Sequence, residues 1–225
     1  MIPLKAHNPT KSIPFVNIAL ILSNISIFLY QYFLYPEDPD LIFLRLGFIP
    51  YEFTHLVDIN PENTMPVPLT MFSAMFMHAG WLHLLSNMLY LWIFGDNVED
   101  ILGHRRYLFF YLFCGIAATL IHGFMNVNSK IPTVGASGAI AGVLGAYICL
   151  FPKARVQTLI IIIIFFRIVS IPSFVLLGYW ILIQVISGMA EMEAHTGGGV
   201  AWFAHIGGFF TGLVLILGMK KKRRP

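Results

Sequence analysis

Residues 133–151 read TVGASGAIAGVLGAYICLF. The run is apolar enough for a membrane, yet a serine, Ser137, stands among glycines and alanines at its leading edge. Two readings compete. A small serine lets helices touch. A serine at a helix N-terminus, where free N–H groups and the helix dipole favour negative charge, can also react. The rest of the chain decides what this stretch is part of.

The chain has 225 residues, of which 57% are hydrophobic and 11% charged, with a mean hydropathy of +0.76. A soluble domain carries about 25% charged residues. The apolar residues come in long uncharged runs rather than scattered, so the composition points to a polytopic membrane protein. Cys114 and Cys149 both lie inside such runs and make no framework of exported disulfides. The first fourteen residues are polar and punctuated by proline, with no convincing cleavage site, so no cleavable signal peptide is expected.

Six candidate spans follow, at roughly 15–35, 81–95, 107–124, 134–151, 172–187 and 201–219. The run Val156–Val169 is also apolar, but it is β-branched and followed by Pro172. It reads as a connector at the membrane surface, with a seventh span as the rival reading. Six spans with the N-terminus inside put Lys5, Lys11, Arg105, Arg106, Lys153, Arg155, Arg167, Lys220, Lys221, Lys222, Arg223 and Arg224 on the inner side. Only Arg45 and Lys130 fall outside, which favours cytoplasmic N- and C-termini. Glu37, Asp38, Asp40, Glu52, Asp58, Glu62, Glu191 and Glu193 fall outside. Lys220–Arg224, directly after a span, reads as a cytoplasmic anchor rather than a nucleic-acid site. The expected organisation is a short inner segment, 1–14, an all-α six-helix domain, 15–219, and a basic tail, 220–225. The first outer loop, rich in Pro36, Pro39, Pro50, Pro61, Pro66 and Pro68 and in aromatics, is long enough to be functional or to lean on the bilayer.

None of the six spans holds an Asp or Glu, so their few polar side chains can be weighed singly. His83 and Asn87 stand near the start of span two, Ser137 near the start of span four and His205 near the start of span six. Even-numbered spans all run from outside to inside, so these residues lie at one depth below the outer surface. His83 and Asn87 are four apart and share a helix face, as do His205, Gly208 and Gly212. Gly138-x-x-x-Gly142 and Gly208-x-x-x-Gly212 are close-packing patterns of membrane helices, able to bring Ser137 within reach of His205.

Each residue has a bland reading: packing for Ser137, interhelical hydrogen bonding for Asn87, His83 and His205. Together they also have a chemical one. A serine nucleophile needs a base, which His205 can be. An oxyanion needs donors, which His83, Asn87 and the Ser137 backbone can supply. No span carries an acid to orient the histidine, so a Ser–His dyad is expected rather than a triad. Zinc on His78, His83 and His205 fits worse, since no H-E-x-x-H and no nearby acid accompany them. No nucleotide or dinucleotide fingerprint occurs, and no metal or other cofactor is expected.

These residues resemble the rhomboid intramembrane serine proteases of the bacterial six-helix type. The match rests on Gly135-Ala-Ser-Gly138, on Ala204-His205-x-x-Gly208-x-x-x-Gly212, on His83-x-x-x-Asn87 with His78 before it, and on Gly95-x-x-x-Glu99-x-x-x-Gly103. The resemblance implies Ser137 as nucleophile, His205 as general base, and an oxyanion site of His83, Asn87 and the Ser137 backbone. It implies transmembrane protein substrates, cut within or beside a helix near the outer face. Orientation and small size, rather than a targeting signal, point to a bacterial inner membrane. The resemblance also implies that span five and the loop 188–200 act as gate and cap. The sequence departs from the family where many members carry Trp-Arg, here Val67-Pro-Leu-Thr70. It departs again where some carry an aromatic four residues after the serine, here Ala141. A catalytically silent, client-binding relative would not need all four polar residues together. A small transporter would show charged or broken helices at the midplane, and these spans show none.

Overall fold

The computed structural model describes residues 1–35, 39–59, 65–162, 165–194 and 199–219. Pro36, Glu37, Asp38, Pro61, Glu62, Gly197, Gly198 and the basic tail lie outside the described residues. In chain order the elements are β1 (Ile2–Ala6), α1 (Phe15–Leu34), α2 (Pro39–Leu46), α3 (Pro50–His55), α4 (Val67–Ala74), α5 (Trp81–Leu102), α6 (His104–Met125), α7 (Ser137–Leu150), β2 (Arg155–Ile162), β3 (Phe165–Pro172), α8 (Ser173–Ala194) and α9 (Trp202–Met219). Each expected apolar segment holds one long helix. Four of these, α1, α6, α8 and α9, are long and apolar enough to cross a membrane. Helix α7, with 14 residues, is shorter, and the C-terminal end of α5 carries Asp96, Glu99 and Asp100.

Helix α7 is the centre of the bundle: every residue from Gly138 to Tyr147 is buried. A helix enclosed by others need not match the bilayer thickness, which accounts for its length. Small residues set how near its neighbours come. A Cβ on Gly208 would overlap the carbonyl of Gly138, and one on Gly212 the carbonyl of Gly142. The α7 and α9 backbones are therefore in direct contact. On the other side, Gly142 lies against Cys114 and Gly138 against Ala118, both on α6.

Helix α1 is docked by polar groups at its N-terminal end. The Glu99 carboxylate, fully buried, accepts from the backbone N–H groups of Val16 (3.0 Å) and Asn17 (2.7 Å). These are among the donors that a helix start leaves unpaired, and the negative charge suits the dipole there. Asn17 Nδ2 donates to the Leu91 carbonyl, while Tyr107 donates to Asn17 Oδ1. The Asn17 side chain occupies the space a side chain on Gly95 would need. Gly103 joins α5 to α6 at φ +78°, a conformation suited to glycine. These contacts explain why Gly95, Glu99 and Gly103 recur at spacings of four.

The all-α expectation needs correction. In the run expected as a membrane-surface connector, residues 156–162 and 165–169 lie in the paired strands β2 and β3, and β1 adds a third strand in the order β1-β2-β3. Both pairings are antiparallel. The reason is local and tertiary at once. A β-branched run is a poor helix former and a good strand former. Pairing with β1 then satisfies its backbone groups over Val156–Leu159. Val156 and Thr158 are buried, whereas Ile162, Phe165, Phe166 and Ile168 are exposed.

Between α1 and α5, several described residues are held by backbone hydrogen bonds. Phe48 and Thr133 exchange N–H···O bonds of 3.1 and 2.7 Å, and Tyr51 N–H donates to the Ser129 carbonyl. Where Trp-Arg is missing, Val67–Thr70 forms the first turn of α4, with Thr70 buried. Ser73, one turn on, donates to the Leu46 carbonyl. Helix α8 continues to Ala194, beyond the expected end of span five, so the connection to α9 is shorter than 188–200.

Candidate active site

Ser137 is the first residue of α7. Just before it, Gly135 adopts φ +129° and donates its N–H to the Ala74 carbonyl (2.8 Å). That conformation suits glycine, and it turns the chain so that the helix starts beside the N-terminal turns of α5 and α9. His205 projects from α9, and its Nε2 lies 2.8 Å from Ser137 Oγ. The two residues are 68 positions apart in the chain, and the glycine contact between α7 and α9 sets the gap they span.

His83 faces the same point from α5. A Cβ on Gly135 would stand 2.8 Å from both Cε1 and Nε2 of its ring. The Ala79 N–H points at His83 Nδ1 (3.4 Å). If Nδ1 accepts, the neutral ring carries its hydrogen on Nε2, toward Gly135 and Ser137; this tautomer is assigned from the contact. One turn along α5, Asn87 is buried, and its Nδ2 makes no hydrogen bond among the described residues. Buried donors are rarely left unpaired, so this one is available to a ligand acceptor.

Ser137, His83, Asn87 and His205 all line one cavity of about 710 Å³, with Trp180 on one wall and Gly199–Ala201 at another. A second cavity of about 150 Å³ shares His83 and Val134 with it and adds His122, Asn126, Thr133 and Glu191. His78 does not join the group. It is buried beside His83, ring centroids 5.0 Å apart, and its backbone exchanges hydrogen bonds with the Gln31 side chain. Among the described residues no three His, Cys, Asp or Glu side chains are placed to hold a metal ion.

The sequence reading passed over two residues. Gln184 Oε1 lies 2.6 Å from His205 Nδ1. Trp180, one turn earlier on α8, packs its ring against His205 at 5.7 Å. A polar residue four positions from a tryptophan in an otherwise apolar span was the available signal.

A serine and a histidine in hydrogen-bond contact, inside a bundle of apolar helices, mark an integral membrane protein whose largely apolar cavity holds a few convergent polar groups at one end of its short central helix. The family model of the Rhomboid domain matches residues 67–222, and the chain belongs to the rhomboid family. It is 29% identical over 151 residues to Rhomboid protein 1, mitochondrial, of Saccharomyces cerevisiae, covering 65% of this chain and 40% of that protein. It is 34% identical over 145 residues to Rhomboid protease GluP of Bacillus subtilis, covering 62% of this chain and 24% of that one. Rhomboid-like protein 11, chloroplastic, of Arabidopsis thaliana is 41% identical over 70 residues, 31% of this chain and 25% of the relative. The matches thus span two fifths or less of these relatives' own length.

Proposed function

We propose that this chain is an intramembrane serine endopeptidase that cuts peptide bonds in or next to transmembrane helices of other membrane proteins. The observation that carries the reading is the 2.8 Å contact between Ser137 Oγ and His205 Nε2 in a cavity shared with His83 and Asn87. Ser137 Oγ attacks the scissile carbonyl as its proton passes to His205 Nε2. The oxyanion that forms accepts hydrogen bonds from His83 Nε2, Asn87 Nδ2 and the Ser137 N–H at the start of α7. His205 returns the proton to the leaving amine, the C–N bond breaks, and an acyl-enzyme remains on Ser137. Water, deprotonated by His205, then hydrolyses the ester and frees the serine. The smaller cavity beside His83, with His122, Asn126, Thr133 and Glu191 in its lining, is the source of that water in this reading.

In this reading α1, α5, α6, α7, α8 and α9 are six spans, both termini are cytoplasmic, and the cavity opens to the outer face of a bacterial inner membrane. The distribution of Lys and Arg supports that orientation. The relatives that match include a bacterial protein as well as mitochondrial and chloroplast ones. The membrane domain is 15–219, with Gly138, Gly142, Gly208 and Gly212 as its packing contacts. The hairpin β2–β3 lies at the inner membrane surface. Its distal pairs are Leu159–Ile168 and Ile161–Phe166 on one face, and Ile162–Phe165 on the other, where Arg167 opposite Ile160 adds one exposed charge that suits a membrane surface.

The test is cleavage of a reporter transmembrane helix by the purified protein in lipid, beside Ser137→Ala. Cleavage lost in the variant supports the enzyme. Equal cleavage by both removes Ser137 from the chemistry. No cleavage of several reporters, with no labelling by a serine-reactive probe, supports a client-binding relative instead.

A further inference from the structure

We infer that Gln184 is a positioning residue for the base: its side-chain oxygen holds His205 in the tautomer and orientation that the reaction needs. The inference rests on reading Ser137 and His205 as nucleophile and base.

For His205 Nε2 to accept the serine proton, the neutral ring must carry its own hydrogen on Nδ1. Inside an apolar bundle that N–H needs an acceptor. Gln184 Oε1, at 2.6 Å, is the acceptor in place. The two ends of a glutamine amide look alike, so its orientation is settled by the partners. Gln184 Nε2 donates to the Trp180 carbonyl (3.3 Å), a group that can only accept. The amide nitrogen is thereby committed to its own helix, and the oxygen faces His205. Gln184 is buried, and a neutral amide does this work without placing an unpaired charge there.

Helix α8 also holds the face of the ring. Trp180 packs against His205 with its ring tilted 38°. Ala141, where some family members carry an aromatic, is fully buried and leaves no ring to do this from α7. The edge and the face of His205 are both held from α8, by residues four apart on one side of it. Movement of α8 away from α9 therefore removes the acceptor and the packing together, so the base is aligned only when α8 is docked.

The test compares wild type, Gln184→Met and Gln184→Glu in lipid, with Ser137→Ala and His205→Ala as controls. Methionine keeps the length and removes the strong acceptor; glutamate keeps an oxygen. Gln184→Met should lower kcat by about a hundredfold or more, as loss of the correct tautomer does in serine hydrolases, with KM little changed. Gln184→Glu should recover much of that loss even if its buried charge lowers the melting temperature, and the melting temperature of Gln184→Met should stay close to wild type. In ¹⁵N-histidine spectra, His205 should be the Nδ1–H tautomer in wild type and mixed or reversed in Gln184→Met, a readout independent of turnover. Full kcat in Gln184→Met, or an unchanged tautomer, overturns the inference. So does a loss of kcat that only follows a loss of stability and that glutamate does not rescue. Full activity in Ser137→Ala or His205→Ala overturns the dyad reading instead.

Discussion

The ring of His83 fills the space that a side chain on Gly135 would need, and Gly135 holds φ +129° two residues before Ser137. One glycine thus sets the entry to α7 and the seat of a proposed oxyanion donor. Gly135→Ala must strain the backbone, at a cost of about 1–3 kcal/mol, and displace the ring. Labelling of Ser137 by a serine-reactive probe should fall at least tenfold while the protein still inserts and folds. Labelling at the wild-type rate would sink this account of the glycine.

Asn87 Nδ2 is a buried donor with no hydrogen bond among the described residues. If it serves the oxyanion, Asn87→Ala should lower kcat by about 10²–10³-fold and leave KM nearly unchanged. His83→Ala should act in the same direction. A change confined to KM would instead mean that these groups bind the ground state.

Gly208 and Gly212 lie against the carbonyls of Gly138 and Gly142. Backbone cannot yield as a flexible side chain does. Gly208→Val should destabilise the bundle by about 1–3 kcal/mol or more and separate His205 from Ser137. Thermal unfolding in detergent measures the first effect and probe labelling the second. Gly218→Val is the control, since nothing lies within 4 Å of a Cβ there.

Glu99 holds the first backbone N–H groups of α1. Glu99→Ala leaves those buried donors unpaired, at about 1–3 kcal/mol each. Hydrogen exchange should show the start of α1 opening first, ahead of the site between α7 and α9. Uniform loss of protection would count against a local role.

The hairpin's apolar residues beyond Leu159 face outward on both sides. A polarity-sensitive fluorophore at position 166 should be quenched by lipids labelled near the headgroups. Strand edges need polar partners, so quenching from the bilayer centre should be weak. No quenching from any depth would show that the hairpin stands in water.

The site was legible to different degrees. Ser137, His83, Asn87 and His205 could be picked out because polar side chains are rare in apolar spans and all four stand in the first two turns of their helices. Gln184 met the first of these criteria and was passed over, because a span's sequence does not say which of its faces meets α9. The sheet was hidden for a related reason. The run at 156–169 shows its β-branched character, but β1 lies some 150 positions away, Ile2 opposite Leu159.

The sequence by itself determined the local and one-dimensional properties: which stretches are apolar helices and which residues share a helix face. These follow from composition and a period of 3.6 residues. Only the tertiary structure decided distances across helices: Ser137 to His205, His205 to Gln184, Glu99 to the start of α1, and β1 to β2. Such contacts depend on how closely backbones approach and at what rotation. That is set jointly by glycines on both partners, as at Gly138 and Gly208, and no single segment contains it.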